Sequence, residues 1–103
     1  MADEATGTDP GGAVRDNPAA GRFELTADGH LAQLVYERHD DRLVLVHTRV
    51  PEELGGRGLG GTLVRYALEV AARDDLTIVP NCPFARRWLR EHPDEAARVR
   101  IDW

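Results

Sequence analysis

Residues 50–61 read Val-Pro-Glu-Glu-Leu-Gly-Gly-Arg-Gly-Leu-Gly-Gly and join a strongly apolar segment to an amphipathic one. Five of the seven positions from Gly55 to Gly61 are glycine. Glycine has no Cβ, so the backbone there can reach positive φ and approach a ligand closely. The first N–H groups of a following helix lack carbonyl partners and can donate to an anionic oxygen. The stretch therefore favours a phosphate-binding turn, with a simple tight turn as the alternative.

The residues before this turn have the patterns of β-strands. Phe23–Thr26 alternates apolar and polar residues, Asp28-Gly29 is a strong hairpin signal, and apolar residues resume over Leu31–Glu37. Arg42–Val50 contains the continuous apolar run Leu43–Val46, which predicts a strand buried on both faces. Three antiparallel strands are therefore expected to precede the glycine turn.

The pattern changes to a helical one after the turn. Apolar residues recur at helical spacing from Leu59 to Ala71, and a short β-branched segment follows at Leu76–Val79. A helix between two strands predicts a crossover that makes them parallel. Pro83–His92 predicts a second helix, and Val99–Trp103 a further edge strand. The expected fold is α+β, a twisted mixed sheet of four or five strands with these two helices.

Length and composition limit the organisation of the chain. The 103 residues suffice for one domain, and residues 1–21 are so poor in large apolar side chains that we expect a disordered tail before a domain at 22–103. A net charge of −5 with no lysine argues against nucleic acid as a partner. No apolar run is long enough to cross a membrane, and Cys82 is the single cysteine. We expect a cytoplasmic monomer or weak dimer.

Two common phosphate-binding motifs do not match. A P-loop would need lysine at the helix start, and a dinucleotide-binding fold would place its glycine turn after the first strand of a longer repeat. The sequence instead resembles the GNAT acetyltransferase superfamily, in its minimal single-domain branch. Residues 55–60 align with the signature Gln/Arg-x-x-Gly-x-Gly/Ala, and the branch is similar at His47-Thr48-Arg49-Val50-Pro51 and Pro80-Asn81-Cys82-Pro83-Phe84. Gly55 stands where the signature has Gln or Arg, so recognition should depend mainly on backbone amides.

No pair of histidines has metal-ligand spacing with a cysteine or carboxylate partner, so we expect no metal. The resemblance implies acetyl-coenzyme A as cosubstrate. Its pyrophosphate would lie on the Gly56–Gly61 turn, and its pantetheine arm between strands 42–50 and 77–80. The thioester would then lie near His47 or Thr48 on one side and near Asn81-Cys82 on the other. The residues expected to bind the coenzyme are Val50, Gly55, Gly56, Arg57, Gly58, Leu59, Gly60, Gly61, Asn81 and Arg86.

Cys82 and His47 are the candidate catalytic residues. Cys82 lies at a strand end just before a helix, where the helix dipole favours thiolate, so it could accept the acetyl group or merely line the pocket. His47 has the same strand parity as Leu43 and Leu45, which predicts that it lies on an apolar face near the thioester. It could be a general base or a structural histidine.

Two functions are consistent with these residues. The first is transfer of an acetyl group from acetyl-coenzyme A to an unknown amine or protein acceptor. The alternative is a noncatalytic acyl-coenzyme A-binding module that regulates a partner. A chain this short and without an assured acid or base leaves the alternative open.

Overall fold

A computed structural model describes residues 14–103 of the chain. Its elements in chain order are β1 (Val14–Asn17), β2 (Arg22–Ala27), β3 (His30–His39), β4 (Arg42–Arg49), a short 3₁₀ turn (Glu52–Leu54), α1 (Leu59–Asp74), β5 (Thr77–Pro80), α2 (Pro83–Glu91) and α3 (Pro93–Ala96). The sheet has the strand order β1-β2-β3-β4-β5. Strands β1 to β4 are antiparallel, and β5 is parallel to β4. The predicted α+β fold with a mixed sheet is confirmed.

The hairpin between β2 and β3 follows from its turn residues. Asp28 and Gly29 both have positive φ, 52° and 77°. A two-residue hairpin needs this backbone because it matches the twist of the flanking strands. Asp40, with φ of 54°, has the same left-handed conformation between β3 and β4. These turns set the register that brings the apolar residues of three strands onto one face.

The structured part begins earlier than the sequence predicts. Val14–Asn17 forms a strand that pairs with β2, so the expectation of disorder through Gly21 is wrong for residues 14–21. Residues 1–13 lie outside the described part of the chain. The strand contains a single apolar residue, and tertiary contacts hold it in place instead: the Tyr36 hydroxyl donates to Asp16 over 2.6 Å.

A second polar contact fixes β1 from the other face of the sheet. The buried carboxylate of Glu24 accepts hydrogen bonds from Asn17 Nδ2 at 3.0 Å and from Arg22 Nε at 2.6 Å. These two donors hold the pKa of Glu24 below its usual range. Burial without such donors would penalise the carboxylate, so the ordered β1 and the buried Glu24 depend on each other.

The core lies between one face of the sheet and the helices. Phe23, Leu34, Leu45 and Ile78 face it from four strands and are fully buried. No helix within residues 14–103 covers the opposite face, and Val46 there remains 38% exposed. The prediction that β4 is buried on both faces is therefore wrong. Its run of four apolar residues has only alternate members in the core.

A β-bulge in β4 changes the facing of its last residues. Val35 and Tyr36 are adjacent on β3, yet they pair with His47 and Leu45, which leaves Val46 as an extra residue in β4. A bulge of this kind adds one residue to a strand and re-aims the side chains beyond it. Thr48, paired with the buried Leu34, consequently points toward the helices.

The last residues of β4 extend beyond its pairing with β5. Pairing with β5 ends at Leu45 and Pro80, while β4 continues to Arg49. Residues 46–49 therefore pair only with β3 and leave backbone groups available beside the helix face.

The C-terminal segment pairs with the sheet at one point. The sequence predicts an edge strand over Val99–Trp103, whereas the structure has a single bridge there, between Ile78 and Ile101. Asp102 adds an ion pair with Arg42. None of the helices within residues 14–103 has the length and apolar character that crossing a membrane would require.

Replacing Tyr36 with Phe should loosen β1. The change removes the 2.6 Å hydrogen bond to Asp16, and we expect a loss of about 1–2 kcal/mol in the free energy of unfolding, measured in urea. Asp16→Ala in the Tyr36→Phe background should then cost little more, because the partner is already gone. Fully additive losses would contradict the role given to this pair.

Candidate functional site

The glycine turn has two residues that require a left-handed backbone. Gly56 and Gly58 have φ of 81° and 74°, and the space where a side chain would begin is empty to 4 Å at both. Gly55 has an ordinary φ of −63°. An atom of a ligand can therefore approach the backbone at Gly56 and Gly58 without meeting protein.

The start of α1 supplies hydrogen-bond donors to the same space. The Thr62 N–H donates to Gly58 O at 3.1 Å, closing the first turn of the helix. The preceding N–H groups, of Leu59, Gly60 and Gly61, lie before the first intrahelical bond and have no partner within the helix. The first turn contains no acidic side chain. Free donors and the positive end of the helix dipole together suit an anion.

The turn opens onto a cavity of about 580 Å³, a size within the range of small-molecule sites. Its wall is formed by residues from the end of β4, the glycine turn and α2: Thr48, Val50, Pro51, Glu52, Leu54, Gly55, Gly56, Gly58, Leu59, Gly60, Gly61, Phe84 and Trp88. The lining is mostly apolar and includes Leu59, Gly60 and Gly61, whose N–H groups have no partner within the helix. We call this space the turn cavity.

Gly60 and Gly61 have a different role from the earlier glycines. A Cβ on Gly60 would lie 2.7 Å from Phe84 Cζ, and one on Gly61 would lie 2.4 Å from Trp88 Nε1. Both distances are too short for real contacts, so these positions must be glycine for α2 to pack against α1. Four of the five glycines thus divide between an open backbone, at Gly56 and Gly58, and close helix packing, at Gly60 and Gly61.

Trp88 is held firmly in this position. Its ring stacks on His92 with centroids 3.9 Å apart, and the Arg65 guanidinium lies 5.3 Å from the ring centroid. Arg65 in turn makes two hydrogen bonds to Glu95, of 2.8 and 2.9 Å. Sequence reasoning did not identify Phe84 and Trp88 as site residues. The adjacent glycines inside a helical pattern were the signal of close approach.

Cys82 lies behind the wall of the turn cavity. It is 2% exposed and is the N-cap of α2, as the sequence predicts for a residue between strand and helix. Its N–H donates to Leu45 O at 2.8 Å, and its Sγ lies 3.2 Å from Thr48 Oγ1. Thr48 lines the cavity, so the thiol is one side chain away from it. The sequence interpretation placed Thr48 nearby but did not predict this contact.

His47 does not lie where the sequence places it. The bulge at Val46 reverses the alternation, so His47 shares the outer face with Val35 and is exposed. The expectation that it lies on an apolar face beside Leu43 and Leu45 is wrong. The helices and the turn cavity are on the opposite side of the sheet.

The remaining predicted residues separate into two places. Arg57 is exposed and pairs with Asp28 at 2.5 Å, outside the turn cavity. Asn81 and Arg86 line a second cavity of about 420 Å³, together with Pro83, Arg87, Arg90 and Glu91. Within residues 14–103 no group of three or more His, Cys, Asp or Glu side chains is arranged to hold a metal ion.

Comparisons with known proteins agree with this geometry. The family model for the GCN5-related N-acetyl-transferases matches residues 22–99. Protein NATD1 from human is 35% identical over 63 residues, which cover 60% of this chain and 56% of that protein. The mouse and chicken NATD1 proteins are also 35% identical over 63 residues, covering 57% of each. The chain thus spans less than two thirds of these relatives.

The fold also resembles a solved structure. A GCN5-like protein from Staphylococcus aureus, determined by NMR in solution, matches with a TM-score of 0.68 and 26% sequence identity. The alignment covers 88% of this chain and 90% of the other. The match therefore extends over most of both chains.

Alanine at Gly61 should disturb the packing of the two helices, and alanine at Gly56 should not. The Gly61 Cβ would lie 2.4 Å from Trp88 Nε1, and overpacking of this kind costs about 1–3 kcal/mol. Gly56→Ala has free space and is strained only by its positive φ, at about 1 kcal/mol. Urea unfolding measures both losses. The intrinsic fluorescence of Trp88 should change in Gly61→Ala alone, and an unchanged spectrum there would refute the packing role.

Proposed function

Because this chain belongs to the GCN5-related N-acetyltransferase family, we propose that it binds acetyl-coenzyme A and transfers the acetyl group to an amine. The observation that carries the proposal is the junction of the glycine turn with α1, where residues whose N–H groups have no partner within the helix line a cavity of about 580 Å³. The pyrophosphate of the coenzyme carries the charge that these donors suit.

The turn cavity fits the rest of the coenzyme by its chemistry. The apolar side chains of Val50, Leu54 and Phe84 suit the hydrocarbon parts of a pantetheine arm. Its amide groups need hydrogen-bond partners, and residues 46–49 of β4 have an edge that β5 does not pair. In our proposal the arm runs from the glycine turn along this edge, and the thioester lies beside Thr48.

Two routes for the acetyl group start from this position. In direct transfer, the amine nitrogen attacks the thioester carbonyl, the carbon–sulfur bond breaks, and coenzyme A leaves as thiolate while the amine loses its proton to water. In a relay, the Cys82 sulfur attacks the thioester carbonyl first, the carbon–sulfur bond of the coenzyme breaks, and the thiol proton of Cys82 goes to the departing coenzyme A thiolate. The amine nitrogen then attacks the carbonyl of acetyl-Cys82, the bond from that carbon to the Cys82 sulfur breaks, and the proton lost by the amine restores the thiol. The 3.2 Å contact between Cys82 Sγ and Thr48 Oγ1 supports the relay as a candidate.

The noncatalytic alternative has one observation in its favour. Among the described residues that line the turn cavity, none carries an imidazole, phenol, thiol or amine. His47, the candidate base, is exposed on the outer face. An acyl-coenzyme A-binding module that regulates a partner would need no general base.

Acetyl-coenzyme A should perturb the amide NMR signals of Gly56–Gly61 in a titration, and unmoved signals would refute binding at the turn. Gly56→Asp should weaken binding about tenfold or more, because its carboxylate would repel the phosphates. Gly29→Asp is the matched control. Gly29 has φ of 77° and open space, as Gly56 has, but lies in the β2–β3 hairpin outside the turn cavity. It should bind as the wild type does.

Cys82→Ala and Cys82→Ser should separate the two routes for the acetyl group. Under the relay, mass spectrometry after incubation with acetyl-coenzyme A finds acetylated Cys82, and both variants lose release of coenzyme A with a panel of amines. An unacetylated Cys82 together with undiminished release in Cys82→Ala would remove the relay and leave direct transfer. Binding without release across a broad amine panel would instead favour the regulatory module.

A further inference from the structure

The second cavity carries a concentration of positive charge. Its lining contains three guanidinium groups, those of Arg86, Arg87 and Arg90, against the single carboxylate of Glu91. The whole chain has a net charge of −5, so an excess of positive charge in one cavity runs against the overall balance. We call this space the arginine cavity.

Its three arginines differ from most others in their partners. Within the part of the chain that the structure describes, eight arginines form ion pairs with carboxylates, and none of the three in the cavity does. Neutral groups orient them instead. Arg86 Nε donates to Pro80 O at 3.2 Å, Arg87 lies 5.9 Å from the centroid of the Phe84 ring, and Arg90 lies 5.0 Å from that of Trp103. Their charges are therefore placed but not neutralised by these contacts.

The arginine cavity is separate from the turn cavity. The two have no lining residue in common. Arg86 comes two positions after Phe84, and Arg90 comes two positions after Trp88. Two positions correspond to about 200° around a helix, so these arginines lie on the other side of α2 from the two aromatic rings. A coenzyme with its pyrophosphate on the glycine turn does not require this space.

The lining of the arginine cavity nevertheless includes a sequence neighbour of Cys82. Asn81, which lines it, directly precedes Cys82 at the end of β5. We propose that the arginine cavity binds an anionic group, a carboxylate or a phosphate, on the acceptor. The acceptor is then an amine that also carries negative charge. The assignment to the acceptor rests on the proposed function, whereas binding of the anion does not.

The chemistry of the lining suits this ligand. A guanidinium offers a planar pair of N–H donors that matches the two oxygens of a carboxylate or phosphate. Asn81 adds an amide donor, and arginines held by neutral contacts lose little further freedom on binding. A neutral amide of the same shape lacks the charge that these groups recognise.

Direct binding can be tested with small probes in the full chain. Succinate and inorganic phosphate should shift the amide signals of residues 81 and 86–91, whether or not the anion-binding turn at Gly56–Gly61 also responds, whereas succinamide should not shift residues 81 and 86–91. Arg90→Gln should weaken succinate binding about tenfold. Arg98→Gln removes the same charge outside the cavity and should bind as the wild type does. Absence of the shifts in the wild type, or equal weakening in both variants, would overturn the site.

The source of the anion is tested with the coenzyme and with acceptors. Arg90→Gln should bind coenzyme A and 3′-dephospho-coenzyme A with the same affinity ratio as the wild type. A ratio that changes would assign the cavity to the 3′-phosphate and overturn our assignment. With acetyl-coenzyme A, Arg90→Gln should raise KM for L-glutamate about tenfold relative to the diamide of L-glutamate, in which both carboxylates are neutral amides, and an equal change for both would also overturn it. Succinate binding without any acetyl-coenzyme A binding would refute the proposed function alone.

Discussion

The extra residue in β4 determines how the rest of the site is built. Val46 is an extra residue opposite Val35 and Tyr36. The alternation of inward and outward side chains along β4 therefore shifts by one residue after the bulge. Leu45 packs in the core before the bulge, and Thr48 faces the same side after it. The bulge lies where pairing with β5 stops, so the two parallel strands part at the point where Thr48 meets Cys82. One inserted residue thus provides an open strand edge and a polar contact beside it.

Close packing of the helices closes the other side of this space. Gly60 and Gly61 let Phe84 and Trp88 approach the start of α1 more closely than any side chain would permit. The ring of Trp88 is then held by stacking on His92 and by the guanidinium of Arg65, which a hydrogen bond to Glu95 orients. The turn cavity is consequently bounded by a rigid aromatic wall. Residues whose N–H groups have no partner within the helix line it together with Thr48, which is why an elongated ligand with an anionic end is the one proposed.

Helix α2 contributes residues to both cavities, from opposite sides of the helix. Phe84 and Trp88 face α1 and the turn cavity, while Arg86 and Arg90 face outward with charges that no described carboxylate neutralises. Eight other arginines in the described part of the chain form ion pairs with carboxylates. Both sides meet at Asn81 and Cys82, the two residues between β5 and α2. A two-substrate reaction could use such an arrangement, with one ligand approaching from each side of the helix.

Local chemistry by itself determined the order of the elements. The Asp28-Gly29 turn, the helical spacing after Leu59 and the β-branched segment before Pro80 depend on residues close in sequence, so strand, helix and turn could be predicted from them. The glycine turn was recognisable for the same reason. Tertiary structure alone decided the facing of His47 and Thr48, because a bulge is defined by pairing with another strand. Tertiary contacts also decided that β1 forms a strand, because its polar residues are held by Tyr36 and Glu24. They decided which glycines serve helix packing as well, because that role depends on where Phe84 and Trp88 lie.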